Sequence, residues 1–391
     1  MKPKRFAYVF KRFPVFAQTF VVREVEGVFR HHRQPAIFSI QPPEDACRQD
    51  GFSTMEERVT LFPSKFALAA RIFSHAFSGK IPCRDIFDLC WLIKENRAKR
   101  EALWLGPELK SRGIHRLHTH FTTEAARTAW WVHRIFGIPY SITAHANDFL
   151  CSRDTSPTLQ QLVSGAHAVI AVSEFSKNWF ETNFPKAKIH RVYNGMLLDE
   201  FIPLNTSNAP RILSVGRLVE KKGFSDLVKA CRNLLDRGLK FSCGIVGEGP
   251  IKNQLVTMIA DLGLSQHVTL YGALPQREIR QLLHQSSIFA LACVKEKDGG
   301  MDILPTVITE AMAAGLPVVS TRVAGIPEMV LDQVTGLLSN PGDVSAFANS
   351  LAALLSHPQT AFSMGIEGRR RAEKVFNEEV TIPELLSILE T

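Results

Sequence analysis

No run of about eighteen apolar residues occurs anywhere in the 391-residue sequence, so a membrane-spanning helix is not expected. The seven cysteines (47, 83, 90, 151, 231, 243 and 293) show no CxxC spacing, which argues against a zinc knuckle or a dithiol redox motif. Their odd number and their setting in apolar runs read as reduced thiols in a cytoplasmic protein. RNP, helix-turn-helix and zinc signatures are missing, so nucleic acid has no support as a partner. Low-complexity blocks are missing too. After the basic start, only Phe6–Phe10 are apolar before Lys11 and Arg12, too short for a secretory signal and better suited to a first strand.

What is present is the composition of an ordinary globular chain, 45% hydrophobic and 21% charged, long enough for two domains with full cores. The net charge of +8 is uneven: residues 1–203 hold 28 Lys and Arg against 19 Asp and Glu, and the remainder is nearly balanced. A basic first half suits an anionic partner such as an acidic membrane surface, although general surface charge would look the same. Short apolar runs alternate with amphipathic segments, the pattern of parallel sheets flanked by helices in an α/β fold. Strands are expected near Phe6–Phe10, 36–40, 116–121, 140–144 and 168–172, and again near 212–215, 241–246, 268–271, 288–292 and 317–320. The aperiodic, polar and Pro-containing stretch 198–210 reads as a linker, dividing the chain into domains 1–203 and 204–375. Between 62 and 105, Phe62, Phe66, Phe73 and Phe77 alternate with Lys65, Arg71 and Lys80, followed by Trp91–Ile93, Trp104 and a basic run 94–100. That segment suits either two helices covering the first sheet or a helix lying on a membrane.

The most informative stretch is Asp302-Ile-Leu-Pro-Thr-Val-Ile-Thr-Glu310-Ala-Met-Ala-Ala-Gly315-Leu-Pro317-Val-Val-Ser320. It reads as a loop, a helix opened by Pro305 at its first position, a left-handed cap at Gly315 and a buried strand. A helix N-terminus after a strand presents free N–H groups to an anion, phosphate above all. Asp302 and Glu310 lie on the order of 12 Å apart if helical, the length of a nucleotide sugar from sugar ring to ribose. The segment resembles the E-x7-E motif of retaining family-4 glycosyltransferases of the GT-B fold, with Asp302 in place of the first Glu.

Further matches follow the same order as in that family. Gly216-Arg217-Leu218-Val219-Glu220-Lys221-Lys222-Gly223 resembles its GRLxxxKG segment, and Gly247-Glu248-Gly249-Pro250 its loop near the nucleotide. Val323-Ala-Gly-Ile-Pro-Glu328 resembles its GGxPE turn, with Ala324 replacing the first Gly. In the first half, Phe13-Pro-Val-Phe-Ala-Gln18-Thr19-Phe20 is similar to the FPxxSETF segment of the colanic-acid and exopolysaccharide branch, and Thr143-Ala-His145-Ala-Asn-Asp148 to its TAHAxD segment. Ser173 reads as a helix N-cap and Asn194-Gly195 as a tight turn.

The resemblance implies two Rossmann-like domains with parallel sheets facing across a cleft, and a C-terminal helix (376–391) crossing back to the first domain. It implies catalytic roles for His145, Asp302, Arg217 and Lys222. Donor contacts would come from Gly216, Gly247, Glu248, Glu310 and the backbone around Ile303, Leu304 and Pro305. Gln18, Thr19 and Asp148 would serve the acceptor or phosphate side. The physical chemistry agrees, because a guanidinium and an ammonium beside a helix N-terminus stabilise a departing diphosphate without a metal. No cofactor is expected beyond the nucleotide-diphosphate sugar itself. His118 and His120 share a strand face, but no third metal ligand stands at a suitable spacing. The expected activity is sugar transfer to a saccharide acceptor, lipid-linked, in cell-envelope or exopolysaccharide synthesis. A nucleotide-sugar epimerase, a soluble-acceptor transferase and a catalytically silent binding module are the alternatives.

Overall fold

A computed structural model of the chain describes residues 5–15, 18–43, 53–82, 96–151, 156–201 and 210–391. Of the positions singled out in the sequence, Phe16, Ala17, Cys47, Cys83, Cys90, residues 91–95 and residues 202–209 of the linker lie outside them. Contacts divide the chain into two compact units. Unit 1 comprises residues 1–172, 177–192 and 381–391, and unit 2 comprises 173–176 and 193–380. The division falls at Val192/Tyr193, ahead of the 203/204 boundary placed by composition, and residues 173–176 also group with unit 2.

Unit 1 is built on strands β1 (Phe6–Arg12), β2 (Ala36–Gln41), β3 (Val59–Leu61), β4 (Arg116–His120), β5 (Tyr140–Ala144), β6 (Ala168–Ala171) and β7 (Ile189–Arg191). They form one parallel sheet in the order β3-β2-β1-β4-β5-β6-β7. β4, β5 and β6 are buried at every residue, as a sheet covered by helices on both faces requires. On one face, Trp104, Leu105 and Leu109 of the helix Arg97–Ser111 join Leu117, Val132 and Ile142 in a core cluster. On the other, Val21, Val25 and Val28 of the helix Thr19–Arg30 pack with Tyr8 and with Ile382, Leu385 and Leu389 of the helix Glu378–Leu389. The last helix therefore contributes its apolar residues from 382 onward to unit 1.

Unit 2 repeats the plan with β8 (Arg211–Val215), β9 (Ser242–Val246), β10 (Val268–Gly272), β11 (Ile288–Leu291), β12 (Val318–Thr321) and β13 (Gly336–Ser339). The parallel order is β10-β9-β8-β11-β12-β13. Both sheets change direction of winding once, between β1 and β4 in unit 1 and between β8 and β11 in unit 2. Loops leaving the carboxyl ends of strands at such a point diverge and leave a crevice, the usual ligand position in doubly wound sheets. β3, β7 and β13 were not anticipated; they are short strands of three or four residues without a long apolar run.

Candidate functional site

At the switch point of unit 2, glycines let three loops stack backbone on backbone. Gly223 adopts φ +66°, and a Cβ there would lie 1.6 Å from the Ala292 carbonyl oxygen. At Gly247, with φ +145°, it would lie 1.9 Å from the Gly216 oxygen. The 3-10 turn Glu220–Lys222 is thereby laid against the chain leaving β11, tied by Val294 N–H donating to the Lys221 carbonyl at 3.0 Å. This carries Lys222 to Asp302, with Nζ 2.5 Å from Oδ2, a close ion pair. Burial opposes the Lys222 charge, but Asp302, with a smaller contribution from Glu310, outweighs it and raises the ammonium above its ordinary value. Arg217 is exposed and makes no ion pair or side-chain hydrogen bond among the described residues.

The helix after the Asp302 loop runs Thr306–Ala313, and Pro305 is its N-cap rather than its first residue. Its first-turn N–H groups at Thr306 and Val307 have no intrahelical acceptor. The other end closes as expected: Gly315 is left-handed at φ +76°, with Leu316 N–H donating to Ala311 and Gly315 N–H to Met312, both at 3.0 Å. Glu310 is buried in the second turn (4% exposed). Ile303 and Leu304 are also buried, and the Ile303 carbonyl accepts from Gly325 N–H at 3.0 Å. That contact fixes the Asp302 loop against the turn 323–328, where Ala324 adopts φ +46°, a conformation that favours glycine. Glu328 in this turn accepts from the N–H groups of Glu174 (2.7 Å) and Phe175 (2.8 Å) and from Tyr193 Oη–H (3.1 Å), which occupies it structurally. Ser173 caps the N–H of Ser176, as the sequence suggests, whereas Asn194-Gly195 forms no turn. Glu248 is exposed and paired with Lys252 at 2.6 Å, one helical turn away.

The corresponding edge of unit 1 has a different chemistry. Opposed residues of β4 and β5 put His118 beside Ser141 and His120 beside Thr143. His118 contacts Ser141 Oγ through Nδ1 (2.8 Å) and Thr143 Oγ1 through Nε2 (3.1 Å). His120 contacts Glu24 Oε1 through Nε2 (3.0 Å) and His145 Nε2 through Nδ1 (3.1 Å). Glu24 also accepts from Tyr8 Oη–H at 2.9 Å. Burial, reinforced by the other histidines, lowers His118 to about 3 and holds His145 well below the ordinary imidazole value, so both are neutral near pH 7. Burial works against the Glu24 charge, yet His120, His118 and Tyr8 outweigh it and keep its pKa lowered. Asp148 accepts from the N–H groups of Thr122 (2.8 Å) and His145 (3.2 Å), joining the loops after β4 and β5. Burial nevertheless pushes Asp148 up to about 7, and its Oδ1 is buried without a partner among the described residues.

Beside this cluster is a cavity of about 450 Å³ lined by Phe10, Arg12, Gln18, His120, Thr123 and Glu124. Gln18 is the N-cap residue of the helix Thr19–Arg30, but its side chain makes no capping bond; Thr19 is the first helical residue. Ligand atoms of Glu24, His118 and His120 lie within 4.8 Å of one another, so the third metal-type ligand that spacing did not reveal is supplied by a distant helix. Hydrogen bonds to Ser141, Thr143, Tyr8 and His145 already engage these groups, and the network closes without an ion. Glu24 and Tyr8 are the residues sequence reasoning missed. One signal was available: Glu24 sits in the buried stripe Val21, Val25, Val28, where an unpaired carboxylate is costly.

Comparison with known proteins agrees with these two units. Residues 199–371 match the family model of glycosyl transferases group 1, and residues 70–200 that of glycosyltransferase family 4. The amylovoran biosynthesis glycosyltransferase AmsK of Erwinia amylovora is 41% identical over 46% of this chain and 44% of its own. The putative colanic acid biosynthesis glycosyltransferase WcaL of Escherichia coli K12 is 33% identical over 60% of this chain and 59% of its own. The matched stretches thus span about half the length of these curated relatives. Among solved structures, a glycosyltransferase from Rickettsia africae superposes with a TM-score of 0.76 over 99% of this chain and 98% of that one, at 18% identity. HepE from Anabaena, solved in complex with UDP, superposes with a TM-score of 0.75 over 98% and 99%, at 17% identity. Two consecutive family models and two doubly wound parallel sheets lead to one conclusion: the chain has the GT-B fold, and its two halves match glycosyltransferase family models in turn.

Proposed function

We propose that the protein transfers a sugar, with retention at the anomeric carbon, from a nucleotide-diphosphate sugar to a saccharide acceptor in exopolysaccharide or cell-envelope synthesis. The observation that carries this reading is the switch point of unit 2. There Lys222, Asp302 and Glu310 gather beside an open helix N-terminus, with Arg217 uncommitted nearby in sequence. A diphosphate offers the charge that Arg217, Lys222 and the Thr306 and Val307 N–H groups would bind. Glu310 would hold the ribose, and Asp302 would exchange its contact with Lys222 for sugar hydroxyls. Gly216 and Gly247 would admit the nucleotide closely, with Ile303, Leu304 and Pro305 shaping the phosphate loop. The engagement of Glu248 with Lys252 leaves it a weaker donor contact than the resemblance implies.

His145 is neutral, which favours orienting a hydroxyl over offsetting phosphate charge. The cavity at Gln18 and His120 is the candidate acceptor pocket of unit 1. We read catalysis as needing neither metal nor organic cofactor, since fixed cations and helix N–H groups serve the leaving diphosphate.

For the acceptor we favour a lipid-linked saccharide reached from the cytoplasmic membrane face. Among the described residues no helix is long and apolar enough to cross a membrane. The helix Lys65–Phe77, however, buries Ile72 and exposes Phe66 (92%), Phe73 (42%) and Phe77 (91%) as one stripe, with Lys65, Arg71 and Lys80 exposed around it. Aromatic groups flanked by cations suit an anionic interface. Trp104 is fully buried and takes no part in such a surface.

The test is a thermal-shift screen against UDP-, GDP- and ADP-sugars, followed by product analysis with and without membrane lipid. One donor class should raise Tm in the wild type and not in Lys222→Ala, and transfer should persist in EDTA. If no nucleotide sugar stabilises the protein and no product forms, the reading fails. Sedimentation with anionic and neutral vesicles examines the membrane arm: Phe66→Ser with Phe77→Ser should abolish binding, and equal recovery with either lipid would remove it.

A further inference from the structure

We infer that Glu24 is a positioning residue that acts through His120 to set the hydrogen-bonding face of His145. The three groups form one line, Glu24 Oε1 to His120 Nε2 at 3.0 Å and His120 Nδ1 to His145 Nε2 at 3.1 Å. A carboxylate only accepts, so His120 carries its hydrogen on Nε2. When His120 carries only that one hydrogen, its Nδ1 is a lone pair and must accept, which puts the hydrogen of His145 on Nε2. His145 Nδ1 is left bare, an acceptor without a partner among the described residues. The imidazole of His145 therefore takes a hydrogen bond from a hydroxyl and cannot give one to a phosphate oxygen.

The surroundings hold this direction. Tyr8 Oη–H donates to the same Glu24 oxygen at 2.9 Å, a second contact that holds the carboxylate in place. His118 is engaged at both nitrogens by Ser141 and Thr143, so it does not compete for His120. The ring of His120 lies nearly parallel to that of His145, with centroids 5.4 Å apart and 13° between planes. Phe20 and Phe121 pack on His145 with centroids at 4.8 and 4.6 Å and restrict its rotation. Of His145, Asp148 contacts the backbone N–H and not the ring, so it places the loop and leaves the tautomer to Glu24. In the transferase reading, on which only the kinetic arm below rests, the bare Nδ1 would receive a hydroxyl of the sugar or acceptor.

The direct test is long-range proton–nitrogen NMR on histidine-labelled full-length protein at pH 8, above the ordinary imidazole range. The His145 signals are assigned by their loss in His145→Asn. The expected wild-type spectrum shows His145 with Nε2 protonated and Nδ1 bare; the reverse tautomer overturns the inference. In Glu24→Gln the amide can donate as well as accept, so both tautomers of His145 should appear. With an identified donor, the same variant should lose about tenfold or more in kcat while its donor KM stays within about twofold. A folded Glu24→Gln with the wild-type tautomer and kcat also overturns it. Adding one equivalent of zinc should leave the spectrum unchanged; stoichiometric binding at Glu24, His118 and His120 would make the cluster a metal site instead. The wild-type spectrum is decisive without any substrate, so failure of the relay and failure of the transferase reading are separable.

Discussion

The two units share one order over six strands, to which unit 1 adds β7, and differ at the switch point, where their chemistry resides. In unit 2 the crevice is charged: an ammonium held above its ordinary value, two carboxylates and an open helix N-terminus. In unit 1 the equivalent edge holds two neutral imidazoles, His118 and His145, and a third, His120, that joins His145 to the largely buried Glu24 carboxylate through hydrogen bonds. Similar backbones thus carry a site suited to an anion and a site suited to hydroxyls. The difference lies in a few side chains after β1, β4, β5, β8 and β11, as expected where folds host chemistry on loops at strand ends.

The sharpest way to break this contrast is to exchange what each edge does. Lys222→Ala should lower kcat/KM by about 10³ and abolish the donor-induced rise in Tm, because it removes a charge facing the leaving diphosphate. Lys222→Arg should not restore it, since a planar guanidinium cannot replace a compact ammonium against Asp302. His145→Ala should cost about 10² in kcat yet leave the donor-induced Tm rise intact. If both variants lose donor binding equally, the division of labour between the units is wrong.

Acidification should strain unit 1 in particular. A histidine whose pKa is lowered on folding binds fewer protons folded than unfolded, so stability falls as pH drops below about 6.5. His118 and His145 both act this way. Asp148, raised to about 7, opposes them, because its folded form binds more protons and its contribution declines as pH rises. Two groups against one leave a net loss on the order of 1 kcal/mol per pH unit between about 6.5 and 4.5. Asp148→Asn should steepen that slope, as chemical denaturation across this range would show. A slope equal to that of the wild type would mean that Asp148 is ionised in the folded protein across this range.

A smaller effect is expected in unit 2. Ala324→Gly relieves a left-handed φ of +46° but adds freedom to the unfolded chain, for a net gain of about 0.5–1 kcal/mol. A loss of stability in urea titration would show that the methyl group has a packing role outweighing the strain.

Much of this molecule was legible before any coordinates. The alternating apolar runs located ten of the thirteen strands, since a parallel sheet buried on both faces needs continuous apolar residues. Gly223, Gly247 and Gly315 marked backbone positions that other residues rarely adopt, and the cap at Gly315 formed as read. Local spacing also brought out Asp302 and Glu310, and the resemblance to the family's motifs brought out Arg217 and Lys222. It could not show that Lys222 meets Asp302, because that pairing depends on a 3-10 turn resting on the chain from β11. Nor could it join Glu24 and Tyr8 to His120, which come from three separate elements. Periodicity and turn chemistry act over a few residues and are written along the chain. Ion pairs, imidazole tautomers and shifted pKa values depend on which distant groups share a buried volume, and only packing brings those groups together.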